Sequence, residues 1–247
     1  MNGILYFSST GNSLYIAQRL SEEIGGKICY IPKYCGNGGE FDRLFLVTPI
    51  YSYGMPAHVY DLLFKLDKTK ELVVIQNYGG MSGNADYLVY RYATECGLNI
   101  KGVLKLKMPE NFTLTFTVPK FYLNGVLKKA DERINRIIAK IKNGEYTIPK
   151  KCKTKEKTYL KNKANWHIIG ERFSVTENCV LCGKCVSVCP SENISVTDGK
   201  ITFAGGCVAC LGCYHRCPEK AIVYKNKRKK DRYINPYVDE KQIGKDL

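Results

Sequence analysis

Cys179, Cys182, Cys185 and Cys189 form a C-x2-C-x2-C-x3-C-P run, and the run recurs at Cys207, Cys210, Cys213 and Cys217, each position 28 residues on. The repeat reaches beyond the thiols: Ile194 matches Ile222, while Phe173 and Val175 match Ile201 and Phe203. A duplicated unit of this size has little core of its own, so it must be organised by what its thiols bind. Structural zinc takes two Cys pairs separated by a dozen or more residues. Here three thiolates arrive within seven residues and the fourth precedes proline, which is the run for [4Fe–4S] clusters whose fourth ligand serves the other cluster. The expected sets are Cys179, Cys182, Cys185 with Cys217, and Cys207, Cys210, Cys213 with Cys189. Zinc and disulfides are the alternatives.

Residues 1–145 read differently. Ile4–Phe7, Lys27–Ile31, Leu44–Ile50, Glu71–Asn77 and Val103–Met108 are strand-like, and helical patterns lie between them on Leu14–Ile24, Val59–Leu66 and Ala85–Cys96, with another on Leu127–Ile141. Such alternation implies a parallel sheet covered on both faces. Runs 4–7, 44–47 and 72–75 are continuously apolar, as central strands are. Leu104, Leu106 and Met108 alternate with Lys105 and Lys107, as on an exposed edge. Five strands with the last at an edge fit a doubly wound α/β sheet in the order 2-1-3-4-5, whose ligand crevice lies at the carboxyl ends of strands 1 and 3.

Three loops should meet at that crevice. Ser8-Ser9-Thr10-Gly11-Asn12-Ser13 offers hydroxyls, a glycine turn and a helix N-terminus, a combination suited to a phosphate dianion. It has neither the P-loop lysine nor a three-glycine dinucleotide fingerprint, so ATP and NAD are not indicated. Alone, it is equally a helix cap with nothing bound. Pro49-Ile50-Tyr51-Ser52-Tyr53-Gly54 and Asn77-Tyr78-Gly79-Gly80 tilt the balance, because a flat ligand needs aromatic faces and backbone amides together.

On these motifs the first 145 residues resemble the flavodoxins, whose phosphate loop reads Ser/Thr-x-Thr-Gly-Asn-Thr after the first strand. The resemblance implies bound FMN, with Ser8–Ser13 on the phosphate and the later two loops on the isoalloxazine. Residues 173–224 resemble the bacterial two-cluster ferredoxins, a smaller α+β domain. The whole is similar to the flavodoxin–ferredoxin fusion proteins of anaerobes, sometimes labelled EFR-family ferrodoxins. The expected organisation is a flavodoxin-like domain over 1–145, a basic linker over 146–172, a ferredoxin domain over 173–226 and a basic tail over 227–247.

Charge adds to this. The chain carries a net +15, of which +10 falls on residues 146–247, concentrated in Lys150–Lys163 and Lys225–Arg232. No base-reading motif accompanies the basic runs, so nucleic acid is not the expected partner. Two clusters and an FMN phosphate would offset about −6 of that charge, and the remainder suits an acidic redox protein as donor or acceptor. A small-molecule acceptor and a homodimer both stay open. With 45% hydrophobic residues the chain is no disordered or collagen-like polymer, its apolar runs are far short of a membrane span, and Met1-Asn2-Gly3 opens no charged leader, so a cytoplasmic protein is expected.

The remaining features read as structural. Cys29, Cys35, Cys96 and Cys152 lack metal spacing, and His58 and His215 lack a catalytic partner motif. Met108–Tyr122, rich in aromatics that include Phe116, is either a lid over the crevice, part of a domain interface or an ordinary connection. The functional expectation is an electron path linking two [4Fe–4S] clusters and FMN in an oxidoreductase. A pure carrier between proteins and an Fe–S redox sensor are the alternatives.

Overall fold

In the computed structural model, residues 1–115, 117–225 and 232–247 are described; Phe116 and most of the basic run Lys225–Arg232 lie outside them. Five parallel strands, β1 (Asn2–Tyr6), β2 (Lys27–Tyr30), β3 (Arg43–Pro49), β4 (Glu71–Tyr78) and β5 (Asn99–Lys107), lie in the order β2-β1-β3-β4-β5. Helices α1 (Asn12–Ile24), α2 (Ala57–Leu63), α3 (Ala85–Glu95), α4 (Lys120–Lys128) and α5 (Ala130–Lys142) connect or follow them. The order is that of the flavodoxin-like doubly wound sheet. The continuously apolar stretches of β1, β3 and β4 are buried throughout, as strands covered on both faces must be. Helix α5 stops where Asn143 caps it and Gly144 turns left-handed at φ 68°.

Strand β5 starts four residues earlier than the alternating pattern indicates, because Glu71 pairs with Asn99 ahead of an irregularity at Leu72/Val73. Apolar alternation cannot report such a start, since Asn99 and Lys101 are polar residues held only by ladder bonds and by Lys101–Glu71. The outer edge of β5 is also less bare than its lysines suggest: the Val103 N–H donates to the Thr147 carbonyl at 2.9 Å. At the opposite edge Ile28 and Leu247 exchange two backbone bonds of 2.8 and 2.9 Å, so the chain's last residue covers β2.

Residues 146–172 are largely helical and docked. They carry α6 (Glu156–Ala164) and α7 (His167–Glu171). Tyr159 is 0% exposed, its hydroxyl donating to the Met55 carbonyl at 3.0 Å. Its ring lies against Gly54, where a β-carbon would come within 2.3 Å. Glu156 accepts hydrogen bonds from Arg91 and Tyr92 at 2.5 and 2.6 Å. Seven lysines in this stretch hide a one-sided apolar anchor, so charge density alone misrepresents it.

The cysteine unit contains β6 (Phe173–Val175), α8 (Lys184–Ser187), β7 (Ile194–Thr197), β8 (Lys200–Phe203), α9 (Gly212–His215) and β9 (Ile222–Tyr224), with β6 paired to β9 and β7 to β8. The 28-residue repeat governs the register: Ile194↔Phe203 maps onto Val175↔Ile222, and Val196↔Ile201 onto Phe173↔Tyr224. It governs backbone strain too, since Leu181 and Ala209 (φ 54° and 56°), and Glu192 and Lys220 (φ 50° and 51°), occupy equivalent left-handed positions. Phe173, Ile194, Tyr214, Ile222 and Tyr224 form the core of this unit.

Residues 232–247 run back across the sheet domain. The Arg232 guanidinium lies 3.4 Å from the Tyr214 ring centroid, and the Tyr233 N–H donates to His215 Nδ1 at 3.1 Å. The Asn235 N–H then reaches the Thr10 carbonyl at 2.8 Å. Among the described residues no helix is long and apolar enough to cross a membrane.

Candidate functional site

The first strand's exit loop is built to present hydroxyl protons. Gly11, at φ 96°, starts α1, and a side chain there would meet Val238 at 2.6 Å. Ser8 Oγ accepts the Gly11 N–H at 2.9 Å, Thr10 Oγ1 accepts Asn111 Nδ2 at 2.9 Å, and Ser13 Oγ accepts Asn77 Nδ2 at 2.8 Å. A hydroxyl that accepts still has its own proton to give, so three O–H groups remain as donors at a helix N-terminus. They line a polar pocket of about 60 Å3 with Ser9, Asn12 and the second and third loops, and among the described residues its lining holds no cation.

Asn12 is spent otherwise. Its Oδ1 accepts Tyr233 Oη at 2.6 Å and Asn235 Nδ2 at 3.1 Å, while its Nδ2 donates to the Pro109 carbonyl at 3.0 Å. It therefore braces the loop between the fifth-strand exit and the C-terminal segment.

The second loop is a tight reversal: Tyr51 and Gly54 exchange backbone bonds of 3.1 and 2.9 Å, with Ser52 and Tyr53 at φ 50° and 69°. Two positive φ values in sequence define a primed turn normally filled by Asn-Gly, so Ser52 and Tyr53 are held there by their surroundings. Tyr53 packs on Gly83, and Lys155 Nζ sits 4.3 Å above its ring. Gly54 is buried beneath Tyr159 and supports the turn. The third loop is tied to the second by Ile50 N–H to the Asn77 carbonyl at 2.8 Å, and to Glu110 by Gly80 N–H to Oε2 at 3.0 Å.

Next to the polar pocket lies a cavity of about 600 Å3, which shares Ile50, Tyr51, Gly80, Met81, Glu110 and Asn111 with it. Ser52 and Tyr53 extend this wall, and Phe112, Asn162, Asn165, Trp166 and Ile169 form the far side. Trp166 stands edge-on to Tyr51 with centroids 6.2 Å apart. The last wall is the second cysteine loop, Ala209-Cys210-Leu211. Contact continues beyond the cavity: Gly212 faces Ser9, whose Cβ lies 3.6 Å from where a side chain at 212 would begin.

Two further cavities hold the thiols. One is lined by Cys179, Cys182, Cys185 and Cys217, the other by Cys189, Cys207, Cys210 and Cys213. In each the fourth cysteine crosses from the other half of the repeat, as the spacing implies. Asn193 N–H donates to Cys189 Sγ and Ala221 N–H to Cys217 Sγ, both at 3.3 Å and again 28 residues apart. Burial pushes the Cys210 thiol up to about 12 and Cys213 well above its ordinary value. Thiols so buried become thiolates only against compensating positive charge, which a metal centre supplies. The sets differ in setting: Cys182 is exposed and flanked by Val180 and Leu181 at 64% and 44% exposure, whereas Cys210 is buried. Cys29, Cys35, Cys96 and Cys152 are free thiols outside both cavities.

His215 is buried between two backbone groups, Nδ1 accepting from Tyr233 and Nε2–H donating to the Asn111 carbonyl at 2.7 Å. That arrangement fixes the neutral tautomer and ties the cysteine unit to the fifth-strand exit. His58 stacks on Phe7 with centroids 5.7 Å apart.

Pattern reasoning reaches the three sheet loops and all eight thiols. It leaves Met108–Tyr122 undecided, and Glu110, Asn111 and Phe112 prove to line the cavities. It misses Asn162, Asn165 and Trp166. The lone tryptophan of the chain was the available signal, since a bulky aromatic in a lysine-rich stretch needs somewhere to bury.

A family model described as a 4Fe-4S dicluster domain matches residues 178–222. No curated protein matches the chain. Among solved structures, the two-electron reduced flavodoxin of Megasphaera elsdenii is 19% identical, covering 42% of this chain and 85% of its own, with a TM-score of 0.39. A Fusobacterium nucleatum flavodoxin bound to flavin mononucleotide is 16% identical, with coverages of 59% and 98% and a TM-score of 0.42. A Lactobacillus acidophilus flavoprotein in complex with FMN is 18% identical, with coverages of 42% and 91% and a TM-score of 0.36. The chain thus joins a sheet of flavodoxin-like strand order to a segment matching a 4Fe-4S dicluster domain. Those are the parts of an electron-transfer redox protein.

Proposed function

We propose that the chain passes electrons internally between two [4Fe–4S] clusters and FMN. One observation carries this: Cys210, of the inner thiol set, lines the same 600 Å3 cavity as Tyr51 and Tyr53 of the second sheet loop. Bound in these sites, the clusters would supply single electrons and FMN would take them one or two at a time. Cys179, Cys182, Cys185 and Cys217 would hold the outer cluster, and Cys207, Cys210, Cys213 and Cys189 the inner one. Ser8, Ser9, Thr10 and Ser13 would direct their hydroxyl protons at the phosphate, while Tyr51, Tyr53, Gly79 and Gly80 would border the ring.

The two sets differ at single members: Cys182 of the outer set is exposed, and Cys210 of the inner set lines the cavity proposed for the flavin. Residues 1–145 and 173–226 would form the two cofactor modules, with 146–172 and the C-terminal segment docking them together. That docking replaces a diffusional encounter by a fixed approach.

A small-molecule acceptor at the flavin is favoured over a pure carrier role by the size of the cavity and by the amides of Asn162 and Asn165 at its far wall, which could orient a polar substrate. The test is anaerobic purification followed by iron, sulfide and flavin analysis. Two four-iron clusters and one FMN per chain are expected; a colourless or zinc-filled protein refutes the reading.

A further inference from the structure

Away from the flavin cavity, a cleft of about 330 Å3 lies where three remote segments meet: Tyr30–Lys33 after β2, Lys184–Glu192 around α8, and Lys241–Lys245 near the C-terminus. Each segment brings cations to it: Lys33, Lys184, Lys241 and Lys245, with Arg216 at the floor. The acidic groups facing it are few. Glu192 lines it, and Glu240 is engaged with Lys184 at 3.2 Å and Arg216 at 3.3 Å. Asp246, which accepts the Tyr30 N–H at 2.7 Å, stands at the same rim, so five cations against three carboxylates leave a local excess of about +2. Arg216 is 7% exposed and is anchored further by the Glu240 and Ile243 carbonyls at 2.9 and 3.3 Å, so the floor is rigid. Lys33, Lys241 and Lys245 are exposed and free to meet an incoming charge.

What gives the cleft a use is its position. Cys189 and Pro190 form part of its wall, and α8 beneath it joins Cys185 of the outer set to Cys189 of the inner set. A cluster with four thiolates carries about −2, so a partner carrying a similar centre would be repelled from bare thiolate loops. A ring of lysines beside Cys189 reverses that sign where close approach is needed.

We propose that this cleft docks an acidic electron-carrier protein, whose surface Asp and Glu side chains pair with Lys33, Lys241 and Lys245. It rests on the internal electron path proposed above. The exchange is one electron per encounter: the partner's centre loses it and the thiolate-bound iron of this chain gains it, with no bond made or broken. Charge of this kind acts on the association rate and is screened within about 10 Å at 0.1 M salt.

The test uses anaerobically purified full-length protein and a reduced acidic [4Fe–4S] ferredoxin as the probe, mixed by stopped flow at several salt concentrations. Lys33→Glu/Lys241→Glu/Lys245→Glu should slow the second-order rate at least tenfold at low ionic strength and abolish its fall with added salt. Lys128→Glu/Lys129→Glu/Lys140→Glu makes the same change in net charge on α4, α5 and the residue joining them, outside the cleft, and should keep the rate within about twofold. Photoreduction without a protein donor should reduce the flavin equally in wild type and both variants. Failure of that last step in wild type refutes the internal path. Success there, with equal ferredoxin rates in the two triple variants or no reaction with wild type, overturns the docking site. Inhibition of the ferredoxin reaction by millimolar inorganic phosphate at constant ionic strength also overturns it, reassigning the cleft to a small anion.

Discussion

Replacing Tyr159 with alanine removes the ring that pins α6 to the sheet domain. That ring is fully buried between Gly54 and Trp166, and its hydroxyl bonds the Met55 carbonyl. Truncating a buried aromatic costs about 3–5 kcal/mol, and the orphaned carbonyl adds to this where water cannot reach it. About 4 kcal/mol corresponds to a roughly thousandfold rise in the population of states with α6 undocked. Tyr159→Phe keeps the ring and loses only the hydrogen bond, about 1 kcal/mol or roughly fivefold. Trypsin reads the difference directly, because Lys157, Lys161 and Lys163 lie in α6 and cleavage there follows the open population when reclosing is fast. Lys150 and Lys151, exposed and ahead of the helix, serve as internal controls whose cleavage stays constant. Mass spectrometry of early digests should rank the three proteins Ala, Phe, wild type. Equal cleavage after Lys161 and Lys163 in wild type and the alanine variant would refute docking through this ring.

Deleting residues 244–247 removes the Leu247 bonds to Ile28, the Asp246 acceptor of the Tyr30 N–H and the backbone N–H groups of Gly244 and Lys245 on the Tyr6 hydroxyl. At about 1 kcal/mol for each of these five bonds, Tm should fall by about 10–20 °C, read by scanning calorimetry; an unchanged Tm would contradict the edge-cover role. Ser9→Ala with Thr10→Ala removes two hydroxyl donors from the proposed phosphate pocket and should weaken FMN binding on the order of 10²-fold or more in a fluorescence titration, with iron content intact. Loss of iron together with flavin would contradict separate cofactor modules.

The thiol partition was legible because it is local. Three cysteines within seven residues share one loop, and the C-x2-C-x2-C-x3-C-P run is the one whose fourth cysteine serves the other cluster in two-cluster ferredoxins, so that pattern predicts which four line each cavity. The sheet was legible for a related reason, since Leu44–Val47 and Leu72–Ile75 are apolar on both faces and strands of that kind belong in the middle of a covered parallel sheet. The loops Ser8–Ser13, Pro49–Gly54 and Asn77–Gly80 then converge by topology. Within them, pattern could not separate Ser13, whose hydroxyl keeps a free proton, from Asn12, whose amide oxygen accepts from Tyr233 and Asn235 and whose nitrogen donates to Pro109. That division depends on partners as many as 223 positions away in the chain.

The same distance explains the rest. Lys150–Lys163 is lysine-rich, and its composition describes the solvent face of α6; the Tyr159 contact that decides its position has its counterpart at Met55. The segment after Arg232 has no strong periodicity, yet it closes on β2, on the first loop and on α9. Linear order by itself therefore determined the strand order and the grouping of the cysteines, because hydropathy and spacing act over a few residues. Only the folded chain decided that Cys210 lines the 600 Å3 cavity and which lysines gather beside Cys189, because those neighbours meet through contacts that no local pattern encodes.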